Sequence, residues 1–187
     1  MSVIQSAEIR AQRSRRRDTS SEKIISIDQA ATIASDQRTN GRRVVFTNGC
    51  FDLLHVGHVT SLSEAASWGD LLIVAMNTDQ SIRRLKGETR PVIGQSDRAT
   101  MLTALECVDY VVPFDENTPL QLLHAIRPDV LVKGGSYSVD QVVGHEVVES
   151  YGGVVAVTRL LEGMSTTDLL QRIQQSTGTP LQTTKAA

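Results

Sequence analysis

Five short apolar runs recur along the chain, at residues 44–46, 71–76, 110–112, 130–132 and 154–157, and a stretch patterned for a helix separates each from the next. No other feature constrains the fold as much. A run that is apolar at every position, rather than at every second one, belongs to a strand covered on both faces. Strands of that kind alternating with helices build a parallel sheet with helices on either side. The sequence therefore predicts an α/β architecture with a doubly wound parallel sheet. In such sheets ligands lie beyond the carboxyl ends of the strands, where the direction of winding reverses, so the residues that end a strand carry the functional information.

The intervening helices show their limits. Ser26 and Gln29 form a capping box, Ile27, Ala30, Ala31 and Ala34 follow at helical spacing, and Asn40-Gly41 supplies the stop. A second helix runs from Gly57 to about Trp68, with Val59, Leu62, Ala65 and Ala66 on one face, and Gly69-Asp70 turns the chain into the next strand. Ser96 caps a helix carrying Ala99, Met101, Leu102 and Leu105, Thr118-Pro119 opens another with proline in its first position, and further helices are expected over 144–150 and from Ser165 or Thr166 onward.

With 187 residues the chain suits one domain, expected over 22–178, with the last residues, 179–187, frayed. No run approaches the eighteen apolar residues of a membrane-spanning helix. The two cysteines, Cys50 and Cys107, allow at most one disulfide and show no paired metal-ligand spacing, which fits a reducing, cytoplasmic compartment. Residues 1–17 hold Arg10, Arg13, Arg15, Arg16 and Arg17 against Glu8 alone, although the whole chain is net −2. Residues 1–21 thus read as a basic, disordered tail. An organelle-targeting or polyanion-contacting role stays open for it, while the net charge gives no reason to expect a nucleic-acid partner for the domain.

The first strand runs into the segment Thr47-Asn48-Gly49-Cys50-Phe51-Asp52-Leu53-Leu54-His55-Val56-Gly57-His58, which leads directly into a helix. Two histidines three residues apart at a helix start can face the same side, and Gly57 lets a bulky anion approach the backbone. Free amides and the helix dipole favour a phosphate there. Imidazoles that are protonated, or that point a donor at it, stabilise the charge that grows during phosphoryl or nucleotidyl transfer. Zinc is the alternative for a histidine pair, but no third ligand stands at a recognisable spacing.

This segment resembles the G-x-F-D-x-x-H-x-G-H signature of the cytidylyltransferase-like nucleotidyltransferases, relatives of the HIGH-motif class I aminoacyl-tRNA synthetases. Asn77-Thr78-Asp79, Arg84-Leu85-Lys86-Gly87, Arg90-Pro91-Val92, Lys133-Gly134-Gly135 and Glu162-Gly163-Met164-Ser165-Thr166-Thr167 follow in order. Together they make residues 26–175 similar to the heptose 1-phosphate adenylyltransferases, in a stand-alone form that relies on a separate sugar kinase. The pattern is departed from at Ser136, where many family members carry an acidic residue. It is departed from again at Arg159, one place from the arginine of the glycerol-phosphate cytidylyltransferases.

The resemblance implies a Rossmann-like fold, a homodimer, ATP as co-substrate with Mg²⁺, and a phosphorylated sugar as acceptor. The backbone of Thr47, Asn48, Gly49, Cys50 and Phe51 would pass beneath the nucleotide, with Gly49 leaving room for its approach. His55 and His58 would hold the triphosphate, and Lys86 would close over it. Lys133, Gly134 and Gly135 would line the nucleotide and sugar pocket, while Ser165, Thr166 and Thr167 would form a second anion cradle at a helix start. Asp52 and Asp79 read either as groups that hold Mg²⁺ or order substrate hydroxyls or, for Asp79, as a helix cap; Mg²⁺ held only through phosphates is equally open. Asn77, with Asp52 and Asp79, belongs to the expected acceptor side. Arg90 and Arg98 read as phosphate clamps or as ion-pair partners.

The expected reaction is attack of a sugar-phosphate oxygen on the α-phosphorus of ATP, giving pyrophosphate and ADP-heptose. Two alternatives remain: a cytidylyltransferase using a polyol phosphate such as glycerol 3-phosphate, and a non-catalytic nucleotide-binding module.

Overall fold

The computed structural model describes residues 22–135, 138–158 and 165–176. The basic tail, Ser136, Arg159, the segment 162–164 and the C-terminal residues 179–187 lie outside the described residues. Five parallel strands form one sheet in the order β3-β2-β1-β4-β5: β1 (Val44–Gly49), β2 (Leu71–Asn77), β3 (Tyr110–Phe114), β4 (Val130–Gly134) and β5 (Val154–Thr158). The helices are α1 (Ile27–Thr39), α2 (Val56–Ala66), α3 (Asp79–Lys86), α4 (Gln95–Thr103), α5 (Leu120–Ile126), α6 (His145–Ser150) and α7 (Thr166–Ser176), with a 3-10 turn at Val139–Gln141.

The strand alternation sorts the core into two layers. Val44, Phe46, Ile73, Ala75, Val112, Phe114 and Leu131 pack on one side with Ala30 and Ala34 of α1, Leu122, Leu123 and Ile126 of α5, and Val148 of α6. Val45, Leu72, Val74, Met76, Val111, Val130 and Val132 pack on the other side with Leu62 and Ala65 of α2 and Ala99 and Leu102 of α4. Both layers are dry, since nearly all these side chains are fully buried. That explains why the strands read as continuous apolar runs, each large aliphatic side chain contributing about 1.5–3 kcal/mol on burial.

Several boundaries differ from expectation for local reasons. Thr47, Asn48 and Gly49 remain in β1, because each still pairs with β2. The Ser26–Gln29 capping box forms as predicted, and Gly41 adopts φ +71° after the helix end. Thr78, not Asp79, caps α3 by accepting from the Ser81 amide at 3.1 Å. Gly94 stands at the N-cap of α4 and Ser96 lies inside the helix. Pro119 occupies the N-cap of α5, one residue before its predicted place.

The winding reverses between β1 and β4. Val45, Phe46 and Thr47 pair with Val130, Leu131 and Val132, but Asn48 and Gly49 continue only alongside β2, while Lys133 and Gly134 continue alongside β5. The two central strands part beyond Thr47. A crevice therefore opens at the carboxyl edge of the sheet, where a doubly wound fold is expected to bind its ligand.

Candidate active site

Two adjoining cavities occupy this crevice and share Asn48, Gly49, Cys50 and Lys133 as a common wall. The smaller, about 190 Å³, lies against α2 and is lined in addition by Thr47, Phe51, His58, Ser61, Leu62 and Gly134. The larger, about 350 Å³, lies towards β2 and β3, with Asn77, Leu85, Lys86, Asn117, Gln141 and Val142 among its lining.

Lys133 is where the two meet. Its side chain is largely buried, and its Nζ donates to the Asn48 carbonyl at 3.2 Å, bridging the gap where the strands part. Burial lowers its pKa from the usual lysine value and the nearby Lys86 charge lowers it further, whereas Cys50 acts in the opposite direction. An ammonium with three donors and one carbonyl partner, set at a crevice and facing a second lysine, is arranged for an anion.

The start of α2 is under-bonded in the same way. His55 and His58 stack with ring centroids 3.8 Å apart, and Phe51 props His58 from 5.4 Å. The His55 amide faces His58 Nδ1 at 3.4 Å, so the neutral His58 ring carries its proton on Nε2. His55 Nδ1 is buried without a hydrogen-bond partner. Burial lowers both pKa values. His58 is brought down to about 4, with the neighbouring His55 as a second cause and a hydrogen bond to the Leu53 backbone opposing it, and for His55 the charge of Asp168 on α7 opposes the shift. Both imidazoles are thus neutral donors at physiological pH. The influence of Asp168 also ties the start of α7 to the histidines. There Ser165 and Asp168 cap each other, Asp168 N–H donating to Ser165 Oγ at 3.1 Å and Ser165 Oγ to Asp168 Oδ2 at 2.7 Å.

The glycine at position 49 lines both cavities and also makes room for a neighbour within the protein. A Cβ there would meet the Phe51 ring at 3.1 Å, so the space it leaves is filled by Phe51, which itself adopts φ +47°. Lys86 is the last residue of α3, and there it lines the larger cavity.

Four charged residues expected at the ligand are bonded to one another instead. Asp52 is buried and accepts from Arg90 Nε at 2.5 Å and from the Val92 and Ile93 amides at 2.7 and 3.1 Å, which pins the 90–93 loop. Arg98 is fully buried and gives its donors to the Ile93, Cys50 and Asn77 carbonyls and to Asp79. Burial alone would raise the Asp79 carboxyl, but the hydrogen bond and charge of Arg98 prevail and hold it below its ordinary value. Arg90 and Arg98 thus each form an ion pair within the protein. None of the four lines either cavity, and neither do His55, Gly57, Gly135, Ser165, Thr166 or Thr167. Asn77 does line the larger one, yet its amide nitrogen is committed to Ser81 Oγ at 3.0 Å.

Asn117 and Gln141 were not legible as site residues. Arg84 Nε donates to Asn117 Oδ1 at 3.2 Å, and the Ser138 amide donates to Gln141 Oε1 at 3.1 Å. With both carbonyl oxygens occupied, each side chain has its NH₂ group left for a ligand. The position of Asn117 beyond the carboxyl end of β3 was the signal available in the sequence. Gln141, in a loop turn far from any motif, offered none. Ser61, one turn after His58 on α2, bonds Thr158 Oγ1 at 2.6 Å and forms part of the smaller cavity.

Among the described residues, no group of three or more His, Cys, Asp or Glu side chains is arranged to hold a metal ion, and no helix is long and apolar enough to cross a membrane.

Comparison with known proteins agrees with this geometry. The family model described as cytidylyltransferase-like matches residues 46–184. Among curated proteins, the bifunctional protein HldE of Geobacter sulfurreducens is 57% identical over 156 residues, which are 83% of this chain and 32% of the relative. The protein of the same name from Gluconobacter oxydans is 52% identical over 153 residues, 82% of this chain and 32% of the relative. The chain thus spans about a third of the length of the curated relatives it matches. Among solved structures, a lipopolysaccharide core biosynthesis protein from Thermoplasma volcanium superposes with a TM-score of 0.53 at 25% identity, over 65% of this chain and 98% of the other.

Proposed function

This chain belongs to the cytidylyltransferase-like family of nucleotidyltransferases, and from that membership we propose that it transfers AMP from ATP to a sugar 1-phosphate. The acceptor is D-glycero-β-D-manno-heptose 1-phosphate, and the products are ADP-heptose and pyrophosphate. The observation that carries this reading is the pair of cavities meeting at Lys133. Two phosphorylated substrates need two pockets and one point where the attacking oxygen and the α-phosphorus meet.

In this reading the triphosphate lies on the histidine side. Neutral His55 and His58 donate hydrogen bonds to the α-phosphate and the departing pyrophosphate, and the amides and hydroxyls of Thr166 and Thr167 at the start of α7 add donors to them. The acceptor lies in the larger cavity, where the amide nitrogens of Asn117 and Gln141 suit an oxygen-rich ligand and Lys86 and Lys133 suit its phosphate. The acceptor phosphate is already anionic, so no general base is required. Catalysis consists of holding the oxygen in line and stabilising charge on the α-phosphate. Asp52 and Asp79 are committed to Arg90 and Arg98, and these residues do not form a metal nest. A divalent ion therefore enters as part of the magnesium–nucleotide substrate. The sequence resemblance to the heptose 1-phosphate adenylyltransferases and the HldE relatives support this acceptor, with a sugar kinase upstream and a cytoplasmic homodimer as the working form.

The test is a matrix of ATP, CTP, GTP and UTP against heptose 1-phosphate, other sugar 1-phosphates and glycerol 3-phosphate, with pyrophosphate release as the readout. Turnover greatest for ATP with the heptose phosphate is expected. Preference for CTP with glycerol 3-phosphate would replace this reading by the polyol one.

A further inference from the structure

The largest fully buried side chain described in this protein is that of an arginine, Arg98, at 0% exposure. A guanidinium is a costly choice for filling space, because removing its charge from water is unfavourable and a well-packed hydrophobe of similar volume usually serves stability as well or better. Its one ionic partner, Asp79 at 2.7 Å, keeps 30% of its side chain exposed, so the charge is only partly neutralised.

What the guanidinium provides is a fork. Nη1 donates to the Cys50 carbonyl at 2.6 Å and to the Asn77 carbonyl at 2.9 Å, Nε to the Ile93 carbonyl at 3.0 Å, and Nη2 to Asp79 at 2.7 Å. Four of its five N–H donors are thereby used. Cys50 and Asn77 are the residues at which the neighbouring strands β1 and β2 give out, and both line the larger cavity. Cys50 also belongs to the wall shared with the smaller cavity. Two residues further on, Asp52 is held by the same loop whose Ile93 carbonyl Arg98 grips. The segment 50–52, beneath both cavities, is therefore clamped from one side by Arg98 and from the other by the Val92 and Ile93 amides.

We propose that Arg98 is a positioning residue for the transfer reaction: without touching either substrate, it fixes the separation of the β1 and β2 ends and so the shape of the wall the two substrates share. This rests on the proposed placing of the nucleotide and acceptor in the two cavities. Lysine cannot reproduce the role, since a single ammonium cannot reach three carbonyls and a carboxylate in one plane.

The test compares Arg98→Lys with Leu102→Ala, which empties a fully buried apolar position on the same helix and lies outside both cavities. Each is measured for melting temperature, for affinity towards whichever nucleoside triphosphate the wild type binds, by calorimetry, and for kcat and KM with the best substrate pair. Arg98→Lys is expected to raise the nucleotide Kd by about tenfold and to lower kcat by about thirtyfold. Leu102→Ala, with an equal or larger fall in melting temperature, is expected to stay within about threefold of wild type in both. Should Arg98→Lys not fold, Asp79→Asn releases the outer anchor without emptying the core, and is expected to raise Kd by about fivefold, beyond the range allowed to Leu102→Ala. Binding and turnover in the Arg98 or Asp79 variant equal to those of Leu102→Ala would overturn the proposal. Absence of turnover by the wild type on every pair would refute the assigned reaction instead, and the nucleotide Kd comparison would still decide the role of Arg98.

Discussion

The two sides of the crevice are built on opposite principles. On the histidine side, His55 Nδ1 has no partner, and Lys133 has one carbonyl for three donors. On the side of the 90–98 segment, buried Asp52 accepts three hydrogen bonds and buried Arg98 gives four, with Arg90 and Asp79 as their ionic partners within the protein. An unmet donor buried at a cleft costs stability and is retained where a ligand meets it; a met one contributes to shape. Charge alone does not distinguish the two, because both sides are rich in groups that suit phosphate.

If this contrast is correct, removing the under-bonded groups should cost chemistry and spare the fold. The largest effect is expected for the double variant His55→Ala/His58→Ala: a fall in pyrophosphate release on the order of 10³-fold, from loss of two donors at the site where charge grows. Its melting temperature should stay within a few degrees of wild type, since the two rings stack chiefly on each other and His55 Nδ1 completes no bond. A folded double variant with near-wild-type turnover would break the comparison.

A smaller effect is expected at the rim of the larger cavity. Asn117→Ala and Gln141→Ala should each raise the KM for the acceptor by about tenfold, the value of one hydrogen bond to an oxygen-rich ligand, with the KM for nucleotide within about twofold. Equal effects on the two KM values would move the acceptor out of that cavity.

The smallest is a pH dependence of stability. The folded pKa of His58, about 4, lies below the ordinary histidine value of 6.5, so between these values the unfolded chain binds a proton that the folded one refuses. The stability contributed by keeping this ring neutral is complete above pH 6.5 and is lost as the pH falls from 6.5 towards 4. Melting curves across that range should show a steeper decline for wild type than for His58→Gln, by on the order of a few degrees. Parallel declines would mean that the ring is solvated rather than buried.

The sheet and its switch point were legible because periodicity reports burial on both faces, and the motif at 47–58 was legible because its spacing encodes a helix start. Two kinds of information were hidden. The pairing of Asp52 with Arg90 and of Arg98 with Asp79 spans 38 and 19 residues, and sequence alone named each arginine as a candidate phosphate clamp without naming its carboxylate partner. The orientation of Asn117 and Gln141 depends on Arg84 and on the Ser138 amide, contacts that no local pattern announces. The packing of the Phe51 ring against Gly49 was likewise not legible, since it depends on the turn that follows β1.

The most direct test of the central claim follows the α-phosphate itself. With ATP labelled at the α-phosphorus and heptose 1-phosphate as acceptor, the label should appear in a nucleotide-sugar, with one unlabelled pyrophosphate released for each molecule formed. Nucleotide binding without transfer of label to any phosphorylated acceptor would contradict it.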